Sequence, residues 1–358
     1  MEKMIRISGE TLFDIMYMLL GAAGLAPEHC RQVAENLLQA DLRGVNTHGI
    51  MRLSLYLKRI AAGAVNVRPV MKVLEERKAV AVLDGDFSLG QISGRLAMEM
   101  AIKKAADYGV GMVSVIHSQH IGAGAYYVTM AKEQDMIGIA LTNTPALMAP
   151  WGGKQAMVGN NPYAVCIPAG EEYPVLLDMA FSQVALGKIM LALAKGEKIP
   201  EGWAQDKAGK PTEDPQSAMD GLLLPAGGYK GYGQAVIVDL LAGLLPGAAF
   251  SAGVVSMAKE PGTPQNSGQM YIAVDISAFR CLEAFKRDMD EYIRAMRNSP
   301  KADGVADIFL PGEQSWRRME ESLREGICFP QTVLTEAAVA GDLFGVDIRP
   351  LIDKKIVK

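Results

Sequence analysis

The sequence is poor in the residues that mark several classes of protein. It contains only four cysteines, Cys30, Cys166, Cys281 and Cys328, which lie far apart and form no C-x-x-C pair. Isolated cysteines of this kind indicate free thiols in a reducing compartment, so we expect a cytoplasmic protein without a disulfide scaffold. No block of lysine and arginine occurs and the net charge is −4, which argues against a nucleic-acid partner.

Segments that would attach the chain to a membrane are also lacking. Residues 240–258 carry no charge, but Pro246 and Gly247 interrupt them and Asp239 precedes them. We interpret this stretch as a buried helix followed by a loop, and we expect no membrane partner. The N-terminal residues lead into a helix with Glu10 and Asp14 and do not resemble a signal peptide. Hydrophobic residues at 49% and charged residues at 21% are typical of a soluble globular protein.

The common nucleotide and hydrolase motifs are missing as well. There is no Walker A loop and no G-x-S-x-G elbow. Gly122-x-Gly124 begins like a dinucleotide fingerprint, but Tyr127 stands where glycine or alanine is required, and Asn143 stands where an acidic ribose partner is expected. The standard Rossmann motif is therefore excluded.

The middle of the chain alternates between strand and helix patterns. Residues 79–84, 110–116 and 136–142 are apolar and read as strands, whereas residues 90–108 and 122–133 read as helices. This alternation predicts an α/β layer. Residues 8–21 and 27–42 before it have helical periodicity, and residues 196–231 after it are polar and rich in turns.

A short polar stretch near the N-terminus is the first candidate for a site. Arg43-Gly44 ends one helix, and Asn46-Thr47 offers the N-cap of the next. On that predicted helix His48 and Arg52 are four residues apart and share one face, while Tyr56 belongs to the core-facing stripe. A histidine, a guanidinium and free N–H groups would suit a carboxylate held beside a proton donor. Spacing alone favours the simpler interpretation of a capping histidine and a solvated arginine, since such pairs are common on helices.

Two further clusters remain open to more than one interpretation. His117 and His120 follow the 110–116 strand, and with Asp178 or Cys166 they would form a metal site for a lyase or hydrolase. Residues 227–233 place Lys230 among glycines at a predicted helix start, which suits a phosphate or carboxylate but also describes an ordinary helix-start loop.

Taken together, the motifs resemble the malate/L-lactate dehydrogenase family of the non-Rossmann type, which includes ureidoglycolate and sulfolactate dehydrogenases, diketogulonate reductase and Δ1-piperideine-2-carboxylate reductase. The resemblance covers about residues 7–346 and rests on motifs in one order. They are Ala40-Asp41-x-Arg43-Gly44, His48-Gly49, Arg52-Leu53, His120-x-Gly122, Thr142-Asn143-Thr144, Pro150-Trp151-Gly152-Gly153, Asn161-Pro162, Leu177-Asp178-Met179-Ala180, Gly187-Lys188, Pro200-Glu201-Gly202-Trp203-Ala204, Lys230-Gly231-Tyr232-Gly233 and Pro311-Gly312-Glu313.

The resemblance implies an NAD(P)-dependent oxidoreductase that moves a hydride between nicotinamide and a small 2-hydroxy or 2-oxo acid, such as malate, lactate, ureidoglycolate or sulfolactate. It implies a homodimer and an α/β fold, in which a mixed sheet for NAD or NADP is flanked by helices. We expect residues 1–75 and 315–358 to form a mostly helical lobe on the substrate side, and residues 76–314 to form the cofactor-binding core. A relative without catalytic activity is a further alternative, against which the intact His48, Arg52, His120 and Lys230 argue.

Residue roles follow from the same resemblance. His48 and His120 are the expected catalytic acid/base residues, and Thr47, Arg52 and Tyr56 are expected to bind the substrate. The residues expected to bind the cofactor are His120, Asn143, Asn161, Val175, Leu176, Leu177, Asp178, Met179, Ala180, Tyr229, Lys230, Gly312, Glu313 and Gln314. The chain departs from the family pattern at Thr47, usually serine, and at His117 and Gln119, usually asparagine, so a second histidine is expected to crowd the pocket or relay protons.

Overall fold

A computed structural model describes residues 4–355, which form a mixed α/β structure. The α-helices of this range are α1 Gly9–Ala22, α2 Pro27–Leu42, α3 Leu53–Ala61, α4 Gly90–Tyr108, α5 Gly124–Lys132, α6 Leu186–Lys195, α7 Pro215–Asp220, α8 Tyr229–Asp239, α9 Leu282–Arg297, α10 Glu313–Glu325, α11 Gln331–Asp342 and α12 Arg349–Lys355. The strands are β1 Met4–Ile7, β2 Lys72–Arg77, β3 Val80–Asp84, β4 Val110–Ser118, β5 Met136–Thr142, β6 Ala146–Met148, β7 Val158–Gly159, β8 Tyr163–Ile167, β9 Val175–Met179, β10 Ala204–Gln205, β11 Pro211–Thr212, β12 Leu222–Leu223, β13 Ser267–Asp275 and β14 Ile327–Pro330.

The predicted α/β layer is confirmed, and its strands belong to one seven-stranded sheet. The strand order is β2-β3-β4-β13-β5-β8-β9. Within this sheet only β3 and β4 pair in parallel, and β13 is inserted antiparallel between β4 and β5. Because β13 comes more than a hundred residues after β5, its position was not foreseen from local patterns. The sheet is therefore mixed, which distinguishes it from the parallel Rossmann sheet.

The strand directions bring several strand ends to one edge of the sheet. β4 and β5 are both antiparallel to β13, and β9 runs in the direction of β5 because β8 is antiparallel to each of them. The carboxyl ends of β3, β4, β5 and β9 consequently face the same way. Polar residues at or just after the ends of these strands, such as His120, Asn143 and Asp178, meet at this edge, where α/β sheets commonly hold ligands.

A helical lobe covers this edge. Its core joins α1, α2 and α3 to β14, α11 and α12, with Leu12, Leu37, Leu57 and Leu334 fully buried. Strands β1 and β14 pair antiparallel and connect the two ends of the chain. Ser8 caps α1 by accepting a hydrogen bond from the backbone N–H of Thr11, as its sequence position predicts. This packing supports the proposal that residues 1–75 and 315–358 form one lobe.

A second, smaller sheet packs on the other side of the main sheet. Its strand order is β11-β10-β12-β6-β7, and its core is shared with α8 and with Met270 of β13. Residues 196–231 were expected to be a turn-rich loop, but they contain β10, β11, α7 and β12. These elements were missed because two-residue strands leave too short a pattern to recognise.

The uncharged stretch 240–258 does not form a membrane-spanning helix. It continues α8 as a π-helix, Leu240–Leu244, and then becomes a loop with one short 3-10 turn. Within residues 4–355 no helix is long and apolar enough to cross a membrane. The expected helix followed by a loop is confirmed, but the helix is buried on one face only: Ala242 is fully buried, whereas Leu240, Leu244 and Leu245 are 43%, 49% and 64% exposed.

Candidate functional site

The helical lobe and the common strand edge enclose a cavity of about 890 Å³, here called the reaction cavity. The lobe contributes Arg43, His48 and Arg52. His120 and Asn143 come from the segments after β4 and β5, and Asp178 comes from the end of β9. The segment before and within the first turn of α10 forms a further wall. Residues from these five segments of the chain therefore line one space.

The segment carrying His48 is not the regular helix that its sequence suggested. Asn46–His48 and Ile50–Arg52 form two separate 3-10 turns, and α3 begins only at Leu53. Asn46 and Thr47 make no side-chain cap. The interpretation of His48 and Arg52 as i and i+4 on one helix was therefore wrong, although both line the reaction cavity.

Asp41 explains the break between the two turns. Its buried carboxylate accepts a hydrogen bond of 2.8 Å from the backbone N–H of Ile50. Its other oxygen lies so close to Gly49 that a Cβ at that position would be 2.0 Å away. Gly49 is thus required by close approach, and the buried carboxylate holds the turn that presents His48 and Arg52.

Replacing Asp41 by asparagine is expected to remove a pH dependence of stability. Burial raises the pKa of Asp41 from 3.8 to about 7, so between these values the folded chain binds more protons than the unfolded chain. Stability contributed by this group falls as the pH rises through that window. Urea unfolding should find Asp41→Asn more stable than the wild type at pH 8, by on the order of 3 kcal/mol, but not at pH 4.

The matched control for this experiment is the exposed Asp14, on α1 of the same lobe. Asp14→Asn should leave the pH dependence unchanged. Parallel stability curves for the wild type and Asp41→Asn would contradict the assignment.

Arg52 and His48 are held together by backbone and hydroxyl contacts. The Nε of Arg52 donates to the carbonyl oxygen of Thr47 at 2.7 Å, and the Thr47 hydroxyl lies 3.1 Å from the Nδ1 of His48. Within the described residues no hydrogen bond occupies Nη1 or Nη2 of Arg52. Burial, and next the positive charge of Arg52, lower the pKa of His48 to about 4. The free protein therefore holds His48 neutral at physiological pH.

His120 lies next to His48, with the two ring centroids 5.6 Å apart. Its Nδ1 is 2.7 Å from the hydroxyl of Tyr56, and the backbone N–H of Gly122 donates to the same nitrogen at 3.2 Å. Because a backbone N–H only donates, Nδ1 must be an acceptor and the proton sits on Nε2. Burial, and then Arg52 and His48, lower the pKa of His120 well below its usual value. His120 is thus a neutral Nε2–H tautomer.

Tyr56 acts from outside the cavity. It is 1% exposed, and burial raises its pKa to about 12, so that its hydroxyl keeps its proton. The amide of Gln91 donates to this hydroxyl at 3.0 Å. Tyr56 does not line the cavity, and it contacts His120 rather than the space for a substrate.

The metal site considered from the sequence does not form. His117 and His120 diverge, since the Nδ1 of His117 lies 3.1 Å from a carboxylate oxygen of Asp84 and its ring contacts Phe87. Among residues 4–355 no group of three or more histidine, cysteine or acidic side chains is arranged to hold a metal ion. The lyase or hydrolase alternative, which rested on this metal site, therefore has no support in the described residues.

The two departures from the family pattern next to His120 do not crowd the cavity. His117 is not among its lining residues, and the buried Gln119 bonds to the carbonyls of Ala64 and Phe87 and to Arg59. The expectation that a second histidine enters the pocket was wrong. The direction of a side chain at a strand end depends on tertiary contacts, which the sequence does not display.

Many of the residues expected to hold the cofactor line the reaction cavity. The segment at the end of β9 supplies a continuous wall of this cavity. Burial raises the pKa of Asp178 in this segment, although the backbone N–H of Ala125 donates a hydrogen bond to its carboxylate at 2.8 Å, which lowers the pKa. The expected residues on the cavity surface are His120, Asn143, Leu176, Leu177, Asp178, Met179, Ala180, Gly312 and Gln314.

Other expected residues lie outside the cavity lining and have structural contacts. Asn161 is fully buried, accepting from the N–H of Thr144 and donating to the carbonyl of Ala235. Glu313 is 2% exposed and pairs with Arg317 at 2.6 Å. Val175 pairs with Ile167 in the sheet, Tyr229 and Lys230 are exposed at the start of α8, and Thr47 contacts His48 from the side.

Several cavity residues were not predicted as site residues from the sequence, among them Arg43, Thr144 and Ser315. Arg43 and Thr144 appear in the sequence only as parts of motifs, and Ser315 follows the last motif without belonging to it. An arginine that ends a helix carries no local sign of burial. Its position against the sheet emerges only when the lobe packs.

The cavity suits a nicotinamide dinucleotide in size and in character. Its volume of about 890 Å³ lies within the range of small-molecule and cofactor sites. Apolar side chains such as Leu147, Leu176 and Met179 alternate in its walls with polar groups, which suits a ligand that has both apolar and polar parts. At Gly312 the backbone has a φ of +84°, and an added Cβ would lie 2.4 Å from the carbonyl oxygen of Leu176. Only glycine therefore fits at this position of the cavity wall.

Comparisons with known proteins agree over nearly the whole chain. A family model for malate/L-lactate dehydrogenase matches residues 7–337, which include the cavity residues described above. The chain is 39% identical to malate dehydrogenase of Pyrococcus abyssi, covering 94% of each protein. It is 34% identical to ureidoglycolate dehydrogenase (NAD+) of Escherichia coli, covering 90% of this chain and 92% of the relative. Another relative is a (2R)-3-sulfolactate dehydrogenase named for NADP+. The structure of sulfolactate dehydrogenase from Methanocaldococcus jannaschii superposes with a TM-score of 0.91 at 38% identity, covering 97% of this chain and 99% of that one.

Proposed function

The chain belongs to the malate/L-lactate dehydrogenase family, and from this premise we propose how its residues transfer a hydride between nicotinamide and a small 2-hydroxy or 2-oxo acid. It is an oxidoreductase that uses NAD or NADP. The relatives are named for malate, sulfolactate and ureidoglycolate, all 2-hydroxy acids, and this class defines the substrate range that we propose.

The observation that carries the proposal is the meeting of Arg52, His48 and His120 at one cavity. The free Nη1 and Nη2 of Arg52 form a planar fork that matches the two oxygens of a carboxylate. A carboxylate held there brings the neighbouring C2 oxygen of a 2-hydroxy or 2-oxo acid towards the paired histidine rings.

His48 is the proton carrier in this proposal. In hydroxy-acid oxidation its neutral ring accepts the hydroxyl proton as the C2 hydrogen leaves as hydride, and in 2-oxo acid reduction the imidazolium returns that proton. Its pKa, lowered to about 4 in the free protein, would leave it without a proton for reduction. A substrate carboxylate that neutralises Arg52 removes one cause of the shift, so binding raises the pKa of His48 and prepares the acid form.

His120 has a different role, because its Nδ1 already accepts hydrogen bonds. Its Nε2–H is a fixed donor that stabilises negative charge as it develops on the C2 oxygen during reduction. Tyr56 and Gln91 are positioning residues, since they hold the tautomer and the ring orientation without reaching the substrate.

The residues that would hold the cofactor are those of the β9 end, Asn143, Gly312 and Gln314. Bound nicotinamide supplies or accepts the hydride, and the chain contributes orientation and charge. The proposed cofactor region also includes five residues outside the cavity lining: Val175 and Glu313, which lie in these segments, and Asn161, Tyr229 and Lys230, which lie in other segments. Thr47 remains part of the proposed substrate side through its contact with His48.

The function is tested by following reduced nicotinamide with a panel of 2-oxo acids that includes pyruvate, oxaloacetate and sulfopyruvate. Both NADH and NADPH should be used, each with and without a chelator. We expect turnover with at least one acid at a rate that the chelator does not change. Absence of turnover together with absence of cofactor binding by calorimetry would contradict the proposal.

We propose further that the protein is a cytoplasmic homodimer. A patch of Ile237, Leu240, Leu241, Leu244 and Leu245 is 36–64% exposed, and monomeric proteins rarely expose contiguous apolar patches of this kind. Cys30 and Cys166 are free and buried, which supports a reducing compartment. Sedimentation equilibrium tests the assembly, and a monomeric mass at micromolar concentration would contradict it.

A further inference from the structure

A buried arginine of the helical lobe holds an exposed loop beside the reaction cavity. Arg59 lies on α3 and is 1% exposed. Its Nη1 donates to the carbonyl oxygens of Glu260 and Pro261 at 3.3 and 3.4 Å, and its Nη2 donates to that of Thr263 at 3.0 Å. These carbonyls belong to residues 255–265, here called the cavity loop. The three residues are exposed, whereas the cation that holds them is buried.

Gln265 closes the base of the cavity loop. The backbone N–H of Val255 donates to the carbonyl oxygen of Gln265 at 3.2 Å, and the side-chain amide of Gln265 donates to the carbonyl oxygen of Val255 at 3.3 Å. The Oε1 of Gln265 accepts a hydrogen bond of 2.9 Å from the backbone N–H of His120. Because Gln265 is 2% exposed, these bonds are shielded from water. The base of the loop is therefore bonded directly to the backbone of His120.

The middle of the cavity loop forms part of the cavity wall. Ser256, Met257 and Ala258 line the reaction cavity, and Met257 also packs against the core of the helical lobe. The loop thus contacts both the lobe that carries Arg52 and the backbone of His120. Among the described residues, no hydrogen bond joins the loop to β9 or to α10. The cavity loop therefore borders the substrate end of the cavity rather than the cofactor wall.

Gln119 connects Arg59 to the same peptide of the site. Its Oε1 accepts a hydrogen bond of 2.6 Å from Nη2 of Arg59, and its amide nitrogen donates to two further carbonyls. The carbonyl oxygen of Gln119 accepts from the side-chain amide of Gln269 at 3.1 Å. Both polar groups of the peptide between Gln119 and His120 are thus bonded, the N–H through Gln265 at the loop base and the carbonyl through Gln269.

This arrangement concentrates the anchoring of the loop tip in one side chain. The oxygens that Arg59 binds are all uncharged. Hydrogen bonds from a charged donor are stronger than neutral ones, and a guanidinium presents several donors in one plane, so one residue can hold several carbonyls. A buried cation without these acceptors would be strongly unfavourable. Arg59 and the cavity loop therefore keep each other in place.

We propose that Arg59 is a positioning residue of the dehydrogenase site, and that the loop it holds limits the size of the substrate. Arg59 does not belong to the described residues that line the reaction cavity, so it acts through the loop and through His120. The inference rests on the proposed hydride transfer and deepens it. The substrates that follow are 2-oxo or 2-hydroxy acids whose side chain on C2 is short enough to fit inside the closed loop.

The test compares Arg59→Met with the wild type by hydrogen exchange and by kinetics. Exchange followed by mass spectrometry should become faster in the cavity loop and at His120 but should not change in β5, because only the loop anchor is lost. The value of kcat/KM for the acid should fall about tenfold or more, since a small misplacement of a wall or a reacting group is costly. Cofactor affinity measured by calorimetry should not change.

Two further variants complete the comparison. Arg59→Lys should recover part of the loss, because lysine keeps the charge but not the planar fork. Lys58→Met is the matched control, since Lys58 is the exposed neighbour of Arg59 on α3, and it should behave like the wild type in both measurements.

Substrate discrimination separates positioning from a loss of stability. A loosened cavity loop admits longer acids, so kcat/KM for 2-oxohexanoate relative to the best short 2-oxo acid should rise about tenfold in Arg59→Met. A variant that was only less stable would lose activity equally towards both acids. Pro261→Gly loosens the exposed tip without changing the buried arginine. It should shift exchange and discrimination in the same direction, which keeps the test valid even if Arg59→Met does not fold.

Unchanged exchange of the cavity loop in a folded Arg59→Met would overturn the proposal. Faster exchange with wild-type kcat/KM and unchanged discrimination would overturn it as well, because the loop would then be anchored by Arg59 without positioning the site. The exchange measurement requires no turnover. Absence of turnover by the wild type contradicts the proposed dehydrogenase activity instead, so the two failures are distinct.

Discussion

Replacing His48 by asparagine is expected to lower kcat in both directions by about 10²- to 10⁴-fold, because a positioned general acid/base contributes an effect of that size. Asparagine occupies a similar volume and keeps polar groups in the cavity, but it neither accepts nor releases a proton at this step. Cofactor affinity should remain close to that of the wild type, since His48 lies on the lobe and not on the β9 wall. Steady-state kinetics and a calorimetric titration of the cofactor provide the two measurements.

The pH profile separates His48 from His120. Oxidation requires neutral His48, so kcat/KM should fall as the pH drops through the pKa of His48, which is lowered to about 4 in the free protein. His48→Asn should remove this acid limb. His120→Asn, which retains an N–H donor, should reduce kcat less and keep the limb. The reverse pattern would show that the roles are exchanged.

His117→Asn is the matched control for these variants. His117 has a φ of +49°, a conformation that asparagine tolerates better than other residues, and it lies outside the cavity. We expect wild-type kinetics. A large loss of kcat in this variant would indicate that the β4 end, rather than the His48–His120 pair, contains the acid/base group.

Replacing Arg52 by methionine is expected to raise KM for the acid substrate by about 10²-fold, since hydrogen bonds to a charged group contribute about 1.5–3 kcal/mol. Arg52→Lys should recover only part of this loss, because lysine lacks the planar fork. Cofactor affinity should not change. KM values from initial rates at saturating cofactor measure the effect, and the exposed Arg324→Met serves as the control.

The same variant predicts a shift of the pH profile with a defined sign. Arg52 is the second cause, after burial, of the low pKa of His48. Removing its positive charge favours the imidazolium, so the acid limb should move to higher pH while staying below the ordinary value of 6.5. If both KM and the acid limb of the pH profile were unchanged in this variant, the substrate carboxylate would not bind at Arg52.

Several local elements of this protein can be predicted from its sequence alone. Ser8 at the start of α1, Pro27 at the start of α2 and the apolar strands on either side of α4 are visible because capping, backbone geometry and periodicity act over a few residues. The candidate site residues His48, Arg52 and His120 were also identifiable. They stand out because they are rare or charged residues next to glycines, and the family resemblance assigned them to one site.

Only the tertiary structure decided how these pieces meet. The insertion of β13 between β4 and β5 depends on pairing across more than a hundred residues, which leaves no periodic signal. The buried Asp41 turned a predicted helix into two 3-10 turns, and contacts with Asp84 and Phe87 turned His117 away from the cavity. Arg43 became a buried and unpaired cation because the lobe packs it against Trp316. In each case the physical reason is the same: side-chain direction and burial are set by partners that are distant in the chain.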